Sequence, residues 1–274
     1  MTVGVGRTGQ RVGQGLGRAG GAPSPAWTPA ALGAAVVGWH DAQDIATLTL
    51  NAGSVASWAN KGSAGGAATQ TTAAAQPAWS ATGWDGTLPA CVWASGKDLD
   101  LPSGELISGS GARYVFVAAG QTGTATNAYV LGGPGGNGAT WALGYDGYPA
   151  RAAYVDAGAG DVTGTKISGG AWAAQTLVGF GYAGGSGGAI TFHRNGTLVS
   201  PGGRTATLAT SSGGGKLGRW PLFGNAWSGP ISEVIIVGRD LSVDERRKLE
   251  GYAAWRWNRV ADLPSDHPYK SARP

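Results

Sequence analysis

Apolar residues in this chain come in short runs broken by glycine or polar clusters, and for most of its length the spacing suits strands rather than helices. Runs at 35–39, 55–58, 89–93, 99–101 and 113–119 open the series, with a Thr- and Ala-rich stretch at 67–79 between them. Further runs follow at 128–131, 140–145, 151–155, 175–182, 189–194, 197–199, 205–208, 216–219 and 231–237. Asn195-Gly196 lies between two of them, and that pair suits a two-residue type I′ turn because both positions need positive φ. Many short strands with turn signals between them predict a two-sheet antiparallel sandwich, since each sheet must bury one apolar face.

Only residues 242–257 read as a helix. Ser242 is placed to cap the first free N–H groups, and Glu245, three residues on, to bond back to Ser242. Leu249, Tyr252, Ala253 and Trp257 then share one face, with Asp244, Arg247, Lys248 and Arg256 mostly off it. The predicted organisation is an extended Gly-, Arg- and Pro-rich arm over 1–35, an all-β sandwich over 36–260 closed by this amphipathic helix, and an extended tail over 261–274.

Composition narrows this picture. The 51 glycines and 13% charged residues would suit a disordered chain, but the 12 tryptophans among many Val, Ile and Leu runs supply a core. A net charge of +4 without any dense Lys/Arg run gives no case for nucleic acid. Cys91, the sole cysteine, excludes an intrachain disulfide and reads as a small buried hydrophobe. The residues after Met1 are rich in Gly and Arg rather than forming an apolar leader, and no long apolar run predicts membrane insertion.

Four stretches carry a family resemblance. They are Trp39-His-Asp-Ala-Gln-Asp44 with Gly53-Ser-Val-Ala-Ser-Trp58; Ala68-Thr-Gln70 with Gln76-Pro77; Trp172 to Val199 around the Asn-Gly turn; and the closing segment. That segment runs from Gly229-Pro-Ile-Ser-Glu-Val234 through Leu241, Ser242, Glu245, Leu249, Tyr252 and Trp257 to Leu263-Pro264 and His267-Pro-Tyr-Lys270. In this order they resemble a laminin-G-like, or concanavalin A-like, jelly-roll domain of the kind found in bacteriophage virion proteins and bacterial surface proteins. The resemblance implies curved antiparallel sheets and carbohydrate or protein binding. It also implies that calcium at a sheet rim is an option, with residues 40–44, His40, Asp41 and Asp44 among them, and Asp146 as donors.

Candidate chemistry is sparse. The chain has four glutamates, Glu105, Glu233, Glu245 and Glu250, and lacks the Glu-x-Asp-x-x-Glu strand of glucanases sharing this fold. Glu233 stands in the strongest strand without an acidic neighbour two residues away, and Asp98 with Asp100 reads as a solvated turn rim. His40, His193 and His267 are scattered, without zinc or triad spacing. Aromatic residues near turns are the remaining sugar-binding candidates: Trp141, Tyr145 and Tyr148, and Arg219, Trp220 and Asn225, while Trp39, Trp58, Trp93, Trp172, Trp255 and Trp257 read as core. The sequence therefore predicts a non-enzymatic component of a tailed phage or phage-like particle, assembled in the host cytoplasm. Arg7, Arg11, Arg18 and Trp27 would attach it to other virion proteins, copies of the chain would oligomerise on the particle, and the jelly roll would face host-surface polysaccharide. A stand-alone lectin domain is the alternative reading, and a glycan hydrolase the least favoured.

Overall fold

The computed structural model describes residues 1, 26–122, 127–134, 140, 142–146, 151–153, 167–168, 175–199, 203, 205–221, 224 and 226–274. The arm residues Arg7, Arg11 and Arg18 lie outside this set, as do Trp141, Tyr148 and Asn225 and the side chains of Tyr145 and Asp146.

Gly229–Val237 is the central strand. It pairs antiparallel with Arg113–Ala119, then Thr176–Tyr182, Gly188–Arg194 and Thr197–Leu198 follow in order. On its other edge it pairs with Val36–Asp41 and with Ala90–Trp93. From Ala90–Trp93 the path runs through Ala78–Ser80, Ser54–Ala59, Ala67–Thr69, Leu99–Asp100, Lys216–Leu217 and Asn127–Gly132 to Ala142–Asp146. All these pairings are antiparallel. The sandwich is thus one hydrogen-bonded sheet of 16 strands, three of them branching off the main path, apart from a short pair, Arg151–Ala153 with Ile167–Ser168.

The path closes over itself. Trp58, Trp93, Leu217, Val130 and Leu143 from one half share a core with Val115, Val117, Val178, Phe180 and Phe192 from the other. The opposite face of the central strands is also covered: Tyr114, Phe116, Ile235 and Val237 pack against Leu249, Tyr252 and Ala253 of the helix Val243–Arg256 and against its C-cap, Trp257. Burial on both faces explains why Arg113–Ala119, Thr176–Tyr182 and Gly229–Val237 are wholly buried strands rather than half-buried, alternating ones.

Local chemistry sets the helix start and the hairpin as predicted. The Ser242 hydroxyl accepts from Glu245 N–H, and the Ser242 N–H donates to the Glu245 carboxylate. Arg239 grips the same carboxylate at 2.9 and 2.7 Å and holds its pKa down to about 2. Asn195 and Gly196 take φ of 48° and 79°, the positive pair of a type I′ turn. Asn195 Oδ1 also accepts from Leu177 N–H.

The segment before the first strand departs from expectation. Residues 26–35, read as part of an arm, are folded onto the domain. Pro29–Ala35 forms a 3-10 segment, and Trp27, Leu32 and Ala35 pack against the core beneath the helix. The tail docks too. Lys270 Nζ donates to the carbonyls of Val260, Ala261 and Leu263, and Tyr269 lies directly over Gly251. The helix is therefore covered on two sides and is less amphipathic than its sequence suggests. Glu250 is buried and paired with Arg246 and His267, and Arg256 turns inward to Asp41 at 2.6 Å.

Candidate functional site

A hydrolytic site would need acidic side chains open to a ligand. A β-bulge between Ile231 and Glu233 shifts the parity of the central strand, so Ile231 and Val234 both face the inner core although three residues apart. Glu233 consequently points to the helix side and is fully buried there. Its Oε1 accepts from Trp39 Nε1–H and from the Tyr252 hydroxyl, both at 2.9 Å, and its Oε2 accepts from Trp257 Nε1–H at 2.7 Å. Burial and the Asp41 carboxylate beside it push Glu233 up to about 7, against the pull of Arg256 and the two indoles. Burial also raises the Tyr252 phenol well above its usual range, with Glu233 adding to it.

The other buried carboxylates are engaged. Asp98 is buried, not on a solvated rim: it takes Lys216 at 3.0 Å, Arg219 at 3.3 Å and the Gln70 amide at 2.8 Å, while Asp100 is exposed and bonded to Lys216. Asp41 binds both Arg256 and Lys61, and Lys61 also holds Asp44, so a calcium ion there would displace two cations. His40 is buried against Glu105 at 2.9 Å. Among the described residues no group of three or more metal-ligating side chains comes together.

Tryptophan exposure separates core from surface. Trp39, Trp58, Trp84, Trp93, Trp220, Trp227 and Trp257 are buried. Trp220, expected near a ligand, sets its ring edge-on to Tyr129 at 4.9 Å and donates to Thr140 Oγ1 at 3.1 Å, so a ligand contact would need the ring uncovered. Arg219 beside it is partly exposed and holds Asp98. Trp27, Trp79 and Trp255 keep part of their rings exposed, which moves Trp255 out of the core set the sequence placed it in.

Two of those three meet. Trp27 and Trp255 line a hollow of about 290 Å³ with Gln43, Tyr252, Arg256 and Arg273. Trp27 is held by its own backbone N–H, which donates to the Pro274 carbonyl, and by an edge-on contact with Tyr252 at 6.1 Å. Trp255 is oriented by its Nε1–H, which donates to the Tyr269 carbonyl at 3.0 Å, so the docked tail sets the ring. The Arg273 guanidinium lies 5.6 Å over the Trp255 ring, and Arg256 lies 5.9 Å from Tyr252. A second hollow shares the Trp27 and Arg273 wall and reaches Lys248. Sequence reasoning missed this groove because its members come from residues 27, 43, 252–256 and 273; the one signal was Trp27 among prolines.

No protein-family model matches the chain, and no curated protein matches it. Among solved structures it is similar to domain 4 of AbnA, an extracellular GH43 arabinanase from Geobacillus stearothermophilus, in complex with arabinotriose. That likeness has 15% identity and a TM-score of 0.53, covering 78% of this chain and 98% of that one. It is also similar to a GH54 α-L-arabinofuranosidase mutant soaked with 4-nitrophenyl α-L-arabinofuranoside, at 12% identity and a TM-score of 0.50, over 72% of this chain and 50% of that one. What the chain shares with them is a fold. It is a β-sandwich.

Proposed function

We propose that this chain is a carbohydrate-binding module that holds a saccharide in the groove between Trp27 and Trp255. The observation that carries the reading is the convergence there of two part-exposed indoles, Tyr252 and two guanidinium groups on a docked, hydrogen-bonded frame. Aromatic faces stack on the apolar faces of sugar rings, and guanidinium and amide donors take the hydroxyl and ring oxygens. The described carboxylates favour binding over hydrolysis. Glu233 is sealed beneath the helix with both oxygens taken, and Asp98 is neutralised, whereas hydrolysis calls for two carboxyl groups facing an open glycosidic bond.

The setting we propose is display on a phage or phage-like particle, with the segment before Ala26 as the attachment. This part rests on the Gly- and Arg-rich sequence around Arg7, Arg11 and Arg18. Removing residues 2–25 would then abolish incorporation into particles while leaving saccharide binding in place; undiminished incorporation would remove the display role.

A glycan array read with the wild type and with Trp255→Ala tests the binding reading. Losing one stacked ring costs on the order of 1–3 kcal/mol, about ten- to a hundredfold in affinity. The fold should survive, since that ring is only half buried. Binding that is untouched in both Trp255→Ala and Trp27→Ala would displace the site, and sugar release that vanishes in Glu233→Gln would overturn the non-enzymatic reading.

A further inference from the structure

We infer that the saccharide this groove takes is an acidic one, carrying carboxylate groups of the uronic-acid type. The inference rests on the carbohydrate-binding reading and names its substrate class. The chemistry of the lining carries it. Three cations, Lys248, Arg256 and Arg273, border the two adjoining hollows, and among the described residues no aspartate or glutamate stands in either wall. Arg256 is committed to Asp41, but Lys248 and Arg273 form no ion pair with any described residue. Lys248 and Arg273 are therefore left for an incoming ligand to meet.

The hydrogen-bonding inventory points the same way. Sugar hydroxyls both donate and accept, so a neutral saccharide is best met by a mixed set of donors and acceptors. Among the described lining residues Arg256, Arg273, Lys248 and the Trp27 indole can only donate, and the side-chain acceptor oxygens are those of Gln43, Thr28 and Tyr252, whose hydroxyl already donates to Glu233. The Pro274 carbonyl is already taken by the Trp27 N–H. A donor-rich wall selects a ligand rich in acceptors, and a carboxylate against a guanidinium gives the short, charge-assisted bonds that a hydroxyl cannot. The rings of Trp27 and Trp255 add what a purely ionic site lacks, flat apolar surface for the faces of pyranose or furanose rings. Arg273, stacked over Trp255, is held where one ligand residue could lie against the indole and place its carboxylate on the guanidinium.

Calorimetric titration with hexagalacturonate and with its carboxyl-reduced, neutral counterpart tests the inference, using the full chain and the variants Arg273→Gln, Lys248→Gln and Trp255→Ala. The acidic hexamer should bind at least about tenfold tighter than the reduced one, and raising salt to about 0.5 M should erase most of the difference. Arg273→Gln and Lys248→Gln should each weaken the acidic hexamer about tenfold and weaken the neutral one less. Equal binding of both hexamers would overturn the acidic assignment and leave the carbohydrate-binding reading standing. Polyglutamate binding as tightly as the hexamer would show a site for charge alone and overturn the saccharide, and hexamer binding untouched in Trp255→Ala, Arg273→Gln and Lys248→Gln alike would place it outside this groove and overturn the inference. Binding confined to a sulfated oligosaccharide would overturn the carboxylate. An array on which no glycan of any class binds would remove both readings together.

Discussion

Replacing Glu233 by glutamine should weaken the fold at pH 5 and cease to do so at pH 8. The side chain keeps its shape, but its amide oxygen can serve only Trp39 and Tyr252. The new NH₂ group then faces the Trp257 indole N–H across a 2.7 Å contact, two donors head to head. A buried donor left unpaired costs about 1–3 kcal/mol. Against this stands the proton balance of the wild type. In the folded protein Glu233 is raised from 4.5 to about 7, so between those values the native state holds a proton that the unfolded chain has released. Its contribution is present below pH 4.5 and is lost as pH rises through 7. At ~1.4 kcal/mol per pH unit, that loss amounts to about 3 kcal/mol. Glutamine has no such loss. The variant should therefore be about 1–3 kcal/mol less stable near pH 5, and as stable as the wild type or more so at pH 8. Urea unfolding followed by tryptophan emission at the two pH values, with matching m-values, measures the difference directly. A deficit that is constant or grows toward pH 8 would refute the reasoning, because the three donors and Arg256 would then be holding Glu233 ionised despite its burial.

Two further outcomes follow from packing and from buried polar groups. In Gly251→Ala the added methyl meets Tyr269 Cβ at 2.5 Å; helix propensity favours alanine by about 1 kcal/mol, but overpacking costs about 1–3, so the melting temperature should fall. Limited proteolysis should then cut the 261–274 tail sooner; an unchanged or higher melting temperature would show that the tail yields without cost. Arg113 is fully buried, with its pKa pulled down to about 10, and donates to the carbonyls of Ile107, Gly109 and Gly111 and to the Thr210 hydroxyl. Arg113→Lys cannot span that set and should cost about 3 kcal/mol in chemical denaturation, with faster hydrogen exchange across 107–111, whereas a cost under about 1 would mean that water replaces the fork.

The parts of this molecule that depend on neighbours in sequence were legible without a structure. The Ser242–Glu245 capping box, the Asn195–Gly196 turn and the run of Arg113–Ala119 each express an interaction that closes within a few residues, or a burial pattern written along a single strand. The all-β class followed from their repetition. Which side chains meet across the sheet did not follow, because it depends on parity and on long-range register. The bulge at Glu233 reverses the faces on either side of it, and its partners Trp39 and Tyr252 stand 194 and 19 residues away. The same holds for the groove. Sequence shows 12 tryptophans of one chemistry, but whether an indole lies inside or outside depends on what packs over it. Trp220 is covered by Tyr129, while Trp27 and Trp255 are brought together and left open by the segment before the first strand and by the tail folding back over the helix.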